Sequence, residues 1–415
     1  MSKINSQRLL NRFLQYVQVD TTAVEETDAV PSSPGQIELG KILVAQLQEI
    51  GIADVTHNEF GIVRATIPAR GKNSAPVVAF NSHVDTSPET TGKGVQPQVI
   101  ENFDGNDIVL KGDPSKVITA AKCPELPLAK GQTIITTDGT TLLGADDKAG
   151  VSIIMEMASV LLESPEIQHG EIRLLFTCDE EVGRGVTHLD VDGIKAQACY
   201  TFDGGGRDMV DHETFSADLA IVTFEGINIH PAIAKGKMIN AIRAAGDFIT
   251  RLPAEMSPEC TDGREPYVHP YVLDGSVGSS RVRVLIRDFD TNQLGKHADL
   301  IRSKAAETEA AIPGIKAKVE IKKQYRNMAD GLTKEPRAVT IAVEAHERLG
   351  RKPELSIIRG GTDGSQMTER GLPTPNLSSG QHNIHSPLEW ASLDEMVAAC
   401  EVGIEIVKRW SEETN

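Results

Sequence analysis

The 415-residue chain carries 42 Lys and Arg against 59 Asp and Glu, a net charge of −17 that excludes nucleic acid and anionic membrane surfaces as partners held by bulk electrostatics. Its length exceeds what one hydrophobic core usually supports, so two domains are expected. The five cysteines (Cys123, Cys178, Cys199, Cys260, Cys400) are scattered with no C-x-x-C spacing, which excludes a disulfide framework and a thiolate zinc site and leads us to expect a reducing, cytoplasmic location.

In chain order, Leu9, Leu10, Phe13, Leu14 and Val17 recur at helical spacing and read as an amphipathic helix rather than a signal peptide. No run approaches the roughly 20 apolar residues of a membrane span, so no membrane partner is expected. The stretch Ala23 to Gly35, rich in Ser, Pro and acids, is expected to form an exposed loop. From Pro76, PVVAFNSHVDT reads as a buried strand that ends in polar residues, and EIRLLFTCDEE from Glu171 and ACYTFDGG from Ala198 repeat the design. Between the first two, GADDKAGVSIIMEMASVLLES places Val151, Ile154, Met155, Ala158 and Leu162 on one helical face and ends before Pro165. Strands alternating with helices imply a largely parallel α/β sheet, whose ligands sit at the carboxyl ends of the strands.

The pattern changes after about residue 213. SADLAIVTFEG alternates as a strand, KGKMINAIRAAGDFITRL is helical, YVHPYVLDGSVGSSRVRVLIRDFD reads as two strands, TNQLGKHADLIRSKAAETEAA is helical, and IKAKVEIKKQY is a strand. This β-α-β-β-α-β order is the split, ferredoxin-like arrangement, expected here as an inserted α+β domain at 214–326 between catalytic-domain segments 1–213 and 327–415. The α/β pattern resumes with a helix near Arg337 to Leu349, a strand at LSIIRGG, a polar loop GTDGSQ, and a final helix from Asp394 to Trp410.

The chemistry-bearing residues are His83 and Asp85 in HVDT, Asp146 and Asp147 in GADDKAG, Glu180 and Glu181 in CDEEVGRG, Asp203 in FDGG, and His385 in HNIHSPLEW. Taken singly, each block has an ordinary structural use as a helix cap or solvated turn. Their ordered recurrence at strand ends points instead to a shared site. Carboxylates and imidazoles without cysteine suit zinc, with cobalt or manganese as substitutes. Acids converging without a cation would repel one another, and two divalent ions would offset that charge.

These blocks, with HPAIAKGKMINA at 230, RDFD at 287 and RGGTDG at 359, resemble the signature segments of the peptidase T family. That family lies within the di-zinc metallopeptidases that include acetylornithine deacetylase, succinyl-diaminopimelate desuccinylase and glutamate carboxypeptidase. The resemblance runs essentially from end to end. It implies an aminopeptidase that releases the N-terminal residue of tripeptides, using a di-zinc α/β catalytic domain and a ferredoxin-like lid of the kind that can form a homodimer. By position, it makes Asp146 the carboxylate shared by both metals, with His83 and Asp203 completing one site and Glu181 and His385 the other. Asp85 would orient His83, Glu180 would act as general base, and the bond between Asp146 and Asp147 would be cis. His230 matches the histidine that stabilises the oxyanion, and Arg287 and Arg359 match arginines that hold the substrate.

The same chemistry would also fit a dipeptidase, a carboxypeptidase or an N-acyl amino acid amidohydrolase. A catalytically silent module on this fold should have lost a ligand or Glu180, and this chain retains them all.

Overall fold

The computed structural model describes residues 4–71 and 75–414. The chain divides into two compact units, Met1–His212 with Asp330–Ser356 and Thr362–Asn415 forming the first, and Glu213–Ala329 with Ile357–Gly361 forming the second.

The first unit is built on a mixed sheet. Its main path runs Asp54–His57, Val63–Ile67, Ile172–Thr177, Val78–His83, Ala198–Gly205, Asn376–His382, Trp390–Ser392, Ile134–Thr136 and Gln98–Ile100. The central strands Ile172–Thr177, Val78–His83, Ala198–Gly205 and Asn376–His382 are mutually parallel, while the flanking pairings are antiparallel. The expectation of a largely parallel sheet therefore applies to its centre. Because parallel strands all present their carboxyl ends on one side, His83, the turn after Thr177, Asp203 and the segment after His382 converge there.

Helix Ala145–Glu163 packs on this centre and is buried through most of its length. Helix Ser6–Val17 packs against it with Leu9, Leu10, Phe13 and Val17 buried, as the helical spacing predicts, and helix Leu393–Ser411 packs beside it. Apolar residues of all three helices join one core with Phe80, Phe176 and Tyr200 of the sheet.

Two local expectations are corrected, and one element is added. The segment Ala23 to Gly35 is not simply exposed: Ala23 and Ser32 are buried, and Ser32 donates through N and Oγ to the Asp179 carboxylate. The loop GTDGSQ opens the helix Asp363–Glu369, capped by Thr362. The polar segment Asn376–His382 is a fully buried strand.

The second unit carries a four-stranded antiparallel sheet, in the order Tyr267–Gly275, Ser279–Asp288, Ser216–Glu225, Lys316–Tyr325, with helices Ala241–Arg251 and Leu294–Ala311. That order is the ferredoxin-like one. Phe224, Phe248, Val282, Val284, Ile286 and Ile301 form its core. The first helix starts later than its helical pattern suggests, because Asn240 caps it by accepting from the Ile242 and Arg243 amides.

Candidate metal centre

His83 is the last residue of a strand buried along its whole length. Its Nδ1 faces two acceptors, the Asp85 carbonyl at 3.2 Å and Asp85 Oδ1 at 3.4 Å. A neutral His83 therefore keeps its proton on Nδ1 and turns the Nε2 lone pair towards Asp146 Oδ1 at 3.1 Å and Asp203 Oδ1 at 3.6 Å.

Across the site, His385 Nε2 lies 3.3 Å from Asp146 Oδ2 and 3.0 Å from Glu181 Oε2. The two oxygens of Asp146 thus face different imidazoles. His385 Nδ1 lies 3.2 Å from Glu89 Oε2, an acid that the sequence reading did not single out.

Asp85 does more than face His83. Its Oδ1 accepts from the Glu180 amide and its Oδ2 from the Glu181 amide, each at 3.1 Å. The adjacent Asp179 has a left-handed backbone (φ +63°), and its carboxylate accepts from Ser32 and Gln36. The turn carrying Glu180 and Glu181 is therefore fixed from two sides.

Potential ligand atoms of His83, Asp146 and Glu181 lie within 4.8 Å of one another, as do those of His83, Asp147 and Asp203. Asp147, however, has its carboxylate engaged by Ser82 Oγ at 2.5 Å and by the His83 and Gly150 amides at 3.2 Å. Asp146 is the neighbour that faces both histidines. The peptide bond between the two aspartates is cis.

The electrostatics fit a cation. Burial, followed by the Asp146 charge, pushes Glu181 up to about 8 and Asp203 up to about 7. Burial opposes the charged forms of His83 and His385, but their hydrogen bonds to the site carboxylates outweigh it and raise both. Burial also raises Glu180 well above the carboxylate range. These are the shifts of acids crowded together without a counter-charge. Glu181 Oε1 is buried and has no hydrogen-bond partner, the condition a cation would relieve. The donor set of carboxylate oxygens and imidazole nitrogens, without thiolate, is one that a divalent metal accepts.

Asp363 was missed by the sequence reading although its GTDG loop was noted. It is 1% exposed and accepts from Thr177 Oγ1 at 2.5 Å, and burial pushes it up to about 6.

His230, Arg287 and Arg359 belong to the second unit. His230 is exposed, and its Nδ1 accepts from the Ala232 amide at 3.2 Å, which leaves Nε2 as the protonated nitrogen of a neutral ring. Arg287 is buried and donates to Ile286 O, Asp218 O and Gln324 Oε1. Arg359 donates to Gly263 O, Glu265 O and Thr261 Oγ1, and its guanidinium lies 5.2 Å from the Phe215 ring centre and 5.7 Å from that of Tyr267. Neither guanidinium is idle within its own unit.

A family model for peptidase family M20/M25/M40 matches residues 137–409. Peptidase T of Bacillus mycoides (strain KBAB4) is 45% identical over 407 residues, 98% of this chain and 99% of that protein. Peptidase T of Listeria monocytogenes serotype 4a (strain HCC23) is 44% identical over 406 residues, with the same coverage. Among solved structures, a tripeptidase from Staphylococcus aureus superposes with a TM-score of 0.77 at 24% identity, covering 99% of this chain and 100% of that one. A dinuclear metal-binding M20 peptidase from Bacillus subtilis superposes with a TM-score of 0.64 at 15% identity, covering 98% of each chain. With a family model matched over most of the chain and peptidase T relatives aligned along nearly its full length, this chain belongs to peptidase family M20/M25/M40.

Proposed function

We propose that this chain is a metallo-aminopeptidase that releases the N-terminal residue of tripeptides, working with two zinc ions that cobalt or manganese can replace. The observation that carries this reading is Asp146, whose two oxygens face His83 and His385 at 3.1 and 3.3 Å. Asp146 would hold both ions, His83 and Asp203 one of them, and Glu181 and His385 the other. When bound, the ions would polarise the peptide carbonyl and lower the pKa of a water towards about 7.

The chain's own groups supply the proton transfers. Glu180 sits beside Glu181 on a turn held by Asp85, and its desolvated carboxylate is the one assigned to take the proton from water and return it to the leaving amine. His230, protonated on Nε2, is assigned to donate to the oxyanion. Arg359 has its guanidinium held in one orientation by three hydrogen bonds and two aromatic rings, a preorganised fork for a peptide carboxylate. Arg287 is assigned with it to hold the substrate's carboxylate or backbone. A cytoplasmic location suits the five free cysteines, and no helix among the described residues is long and apolar enough to cross a membrane.

The deciding assay compares trialanine with its N-acetylated form, with dialanine and with an N-acetyl amino acid, before and after chelation and return of zinc. We expect cleavage of the free tripeptide alone, lost on chelation and restored by metal. Equal cleavage of the N-blocked peptide, or preference for the acyl amino acid, would replace the aminopeptidase reading with a carboxypeptidase or amidohydrolase one.

A further inference from the structure

We infer that Glu389 is the positioning residue that sets the bridging ligand Asp146 against His385; the inference rests on the two-metal reading above. The helical segment Ala145–Glu163 opens irregularly: Gly144 before it has a φ of +83° and no side-chain cap, and Asp146 (φ −81°, ψ 103°) and Asp147 (φ −121°, ψ 34°) depart from helical backbone. Buried backbone amides outside regular helix need acceptors. Glu389 supplies them from some 243 residues further along the chain. Its Oε2 accepts from the Leu143 amide at 2.7 Å and the Gly144 amide at 2.8 Å, and its Oε1 accepts from the Asp146 amide at 3.1 Å.

Glu389 is 1% exposed, and a buried carboxylate is tolerated where donors converge on it. These three hydrogen bonds all come from backbone amides. Glu389 grips the backbone of Asp146 directly and stands four residues after His385, in a turn closed by its own amide donating to Ser386 O. One side chain thus links the His385 segment to the Asp146 segment. This link helps set the separation of the two ligands, beside the Thr90 hydroxyl that donates to His385 O at 2.9 Å.

Removing the carboxylate should therefore loosen the metal pair while leaving every ligand in the sequence. Glu389→Ala loses all three acceptor contacts. Glu389→Gln retains one acceptor oxygen but points an NH2 group at an amide donor. The experiment is titration of the metal-free full-length protein with cobalt, following stoichiometry and the visible spectrum, with a thermal melt of each variant. Glu395→Gln serves as control, because Glu395 lies in the same region but pairs with His382 at 2.8 Å.

We expect two ions per wild-type chain, affinity lowered about 10- to 100-fold in Glu389→Ala with a displaced cobalt spectrum, and an intermediate loss in Glu389→Gln. The control should keep wild-type affinity even if its melting temperature falls. If Glu389→Ala does not fold, Glu389→Gln carries the test. Wild-type affinity and spectrum in the folded Glu389 variants overturn the positioning role alone. A wild-type chain that takes up no cobalt overturns the two-metal reading and this inference with it.

Discussion

The backbone amide of Glu180 donates to Asp85 Oδ1 over 3.1 Å, so the proposed general base is held in place by the residue that also faces His83. Asp85→Ala should therefore damage two functions at once, the tautomer of His83 and the position of the Glu180 turn. We expect metal affinity to fall about 10- to 100-fold and turnover to stay low even at saturating metal. Full recovery of turnover with excess zinc would confine Asp85 to orienting the histidine.

Glu180→Gln and Glu181→Gln should separate cleanly although the residues are adjacent. The first keeps shape but cannot accept a proton, so both ions should be retained while turnover falls about 10²- to 10⁴-fold. The second replaces a proposed ligand by a neutral amide and should lose one ion. Metal analysis and steady-state rates on both proteins decide, and the reverse pattern would exchange the two assignments.

Metal uptake at pH 7 should release protons. Without metal, Glu181 is pushed up to about 8 and Asp203 to about 7, so each holds a proton for much of the time at that pH, and a cation must displace it. The share released by Glu181 and Asp203 should shrink as pH rises above about 8, while His83 and His385, raised by their hydrogen bonds to the site carboxylates, still give up protons to the metal. Calorimetric titration in buffers of different ionisation enthalpy measures this number; no release at pH 7 would contradict the raised carboxyls.

Arg359→Ala should raise KM for tripeptides with a free C-terminal carboxylate more than for their C-terminal amides. Arg287→Ala should instead lower stability by about 1–3 kcal/mol, because the Asp218 and Ile286 carbonyls and the Gln324 side chain lose a buried donor. Kinetics on paired acid and amide peptides, with chemical denaturation of both variants, test the contrast. Equal KM changes on acid and amide would remove Arg359 from carboxylate recognition.

What could be read from the sequence follows the physical source of each signal. The strands ending at His83 and Thr177 are rich in apolar residues and stand out, as does the alternation of Ser216–Glu225. The strand Asn376–His382, NLSSGQH, is equally buried but gives no apolar signal, because its polar side chains are satisfied by distant partners. Ser378 Oγ accepts from the Met209 amide, Ser379 Oγ donates to Gly204 O, and Gln381 Nε2 donates to Asp203 O. The same cause hides the anchoring of Ser32 by Asp179. The candidate residues were legible as polar blocks recurring at strand ends, but the division of roles among them came from family resemblance, since chain spacing alone cannot show that His83 and His385 share Asp146.

The sheet order also decides when this chain can become dangerous to other peptides. Asn376–His382 lies between Ala198–Gly205 and Trp390–Ser392, so these two late segments connect the Ile134–Thr136 side of the sheet to its parallel centre. A ribosome that has delivered only the first 370 residues has made most of the polar cluster but neither the joining strand nor His385. Until then Ala198–Gly205 lacks its neighbour, an open template for pairing with another chain. On the proposed ligand set, hydrolytic competence thus waits for the segment that carries His385. A nascent chain stalled at that point should be inert towards peptides and bound by holding chaperones.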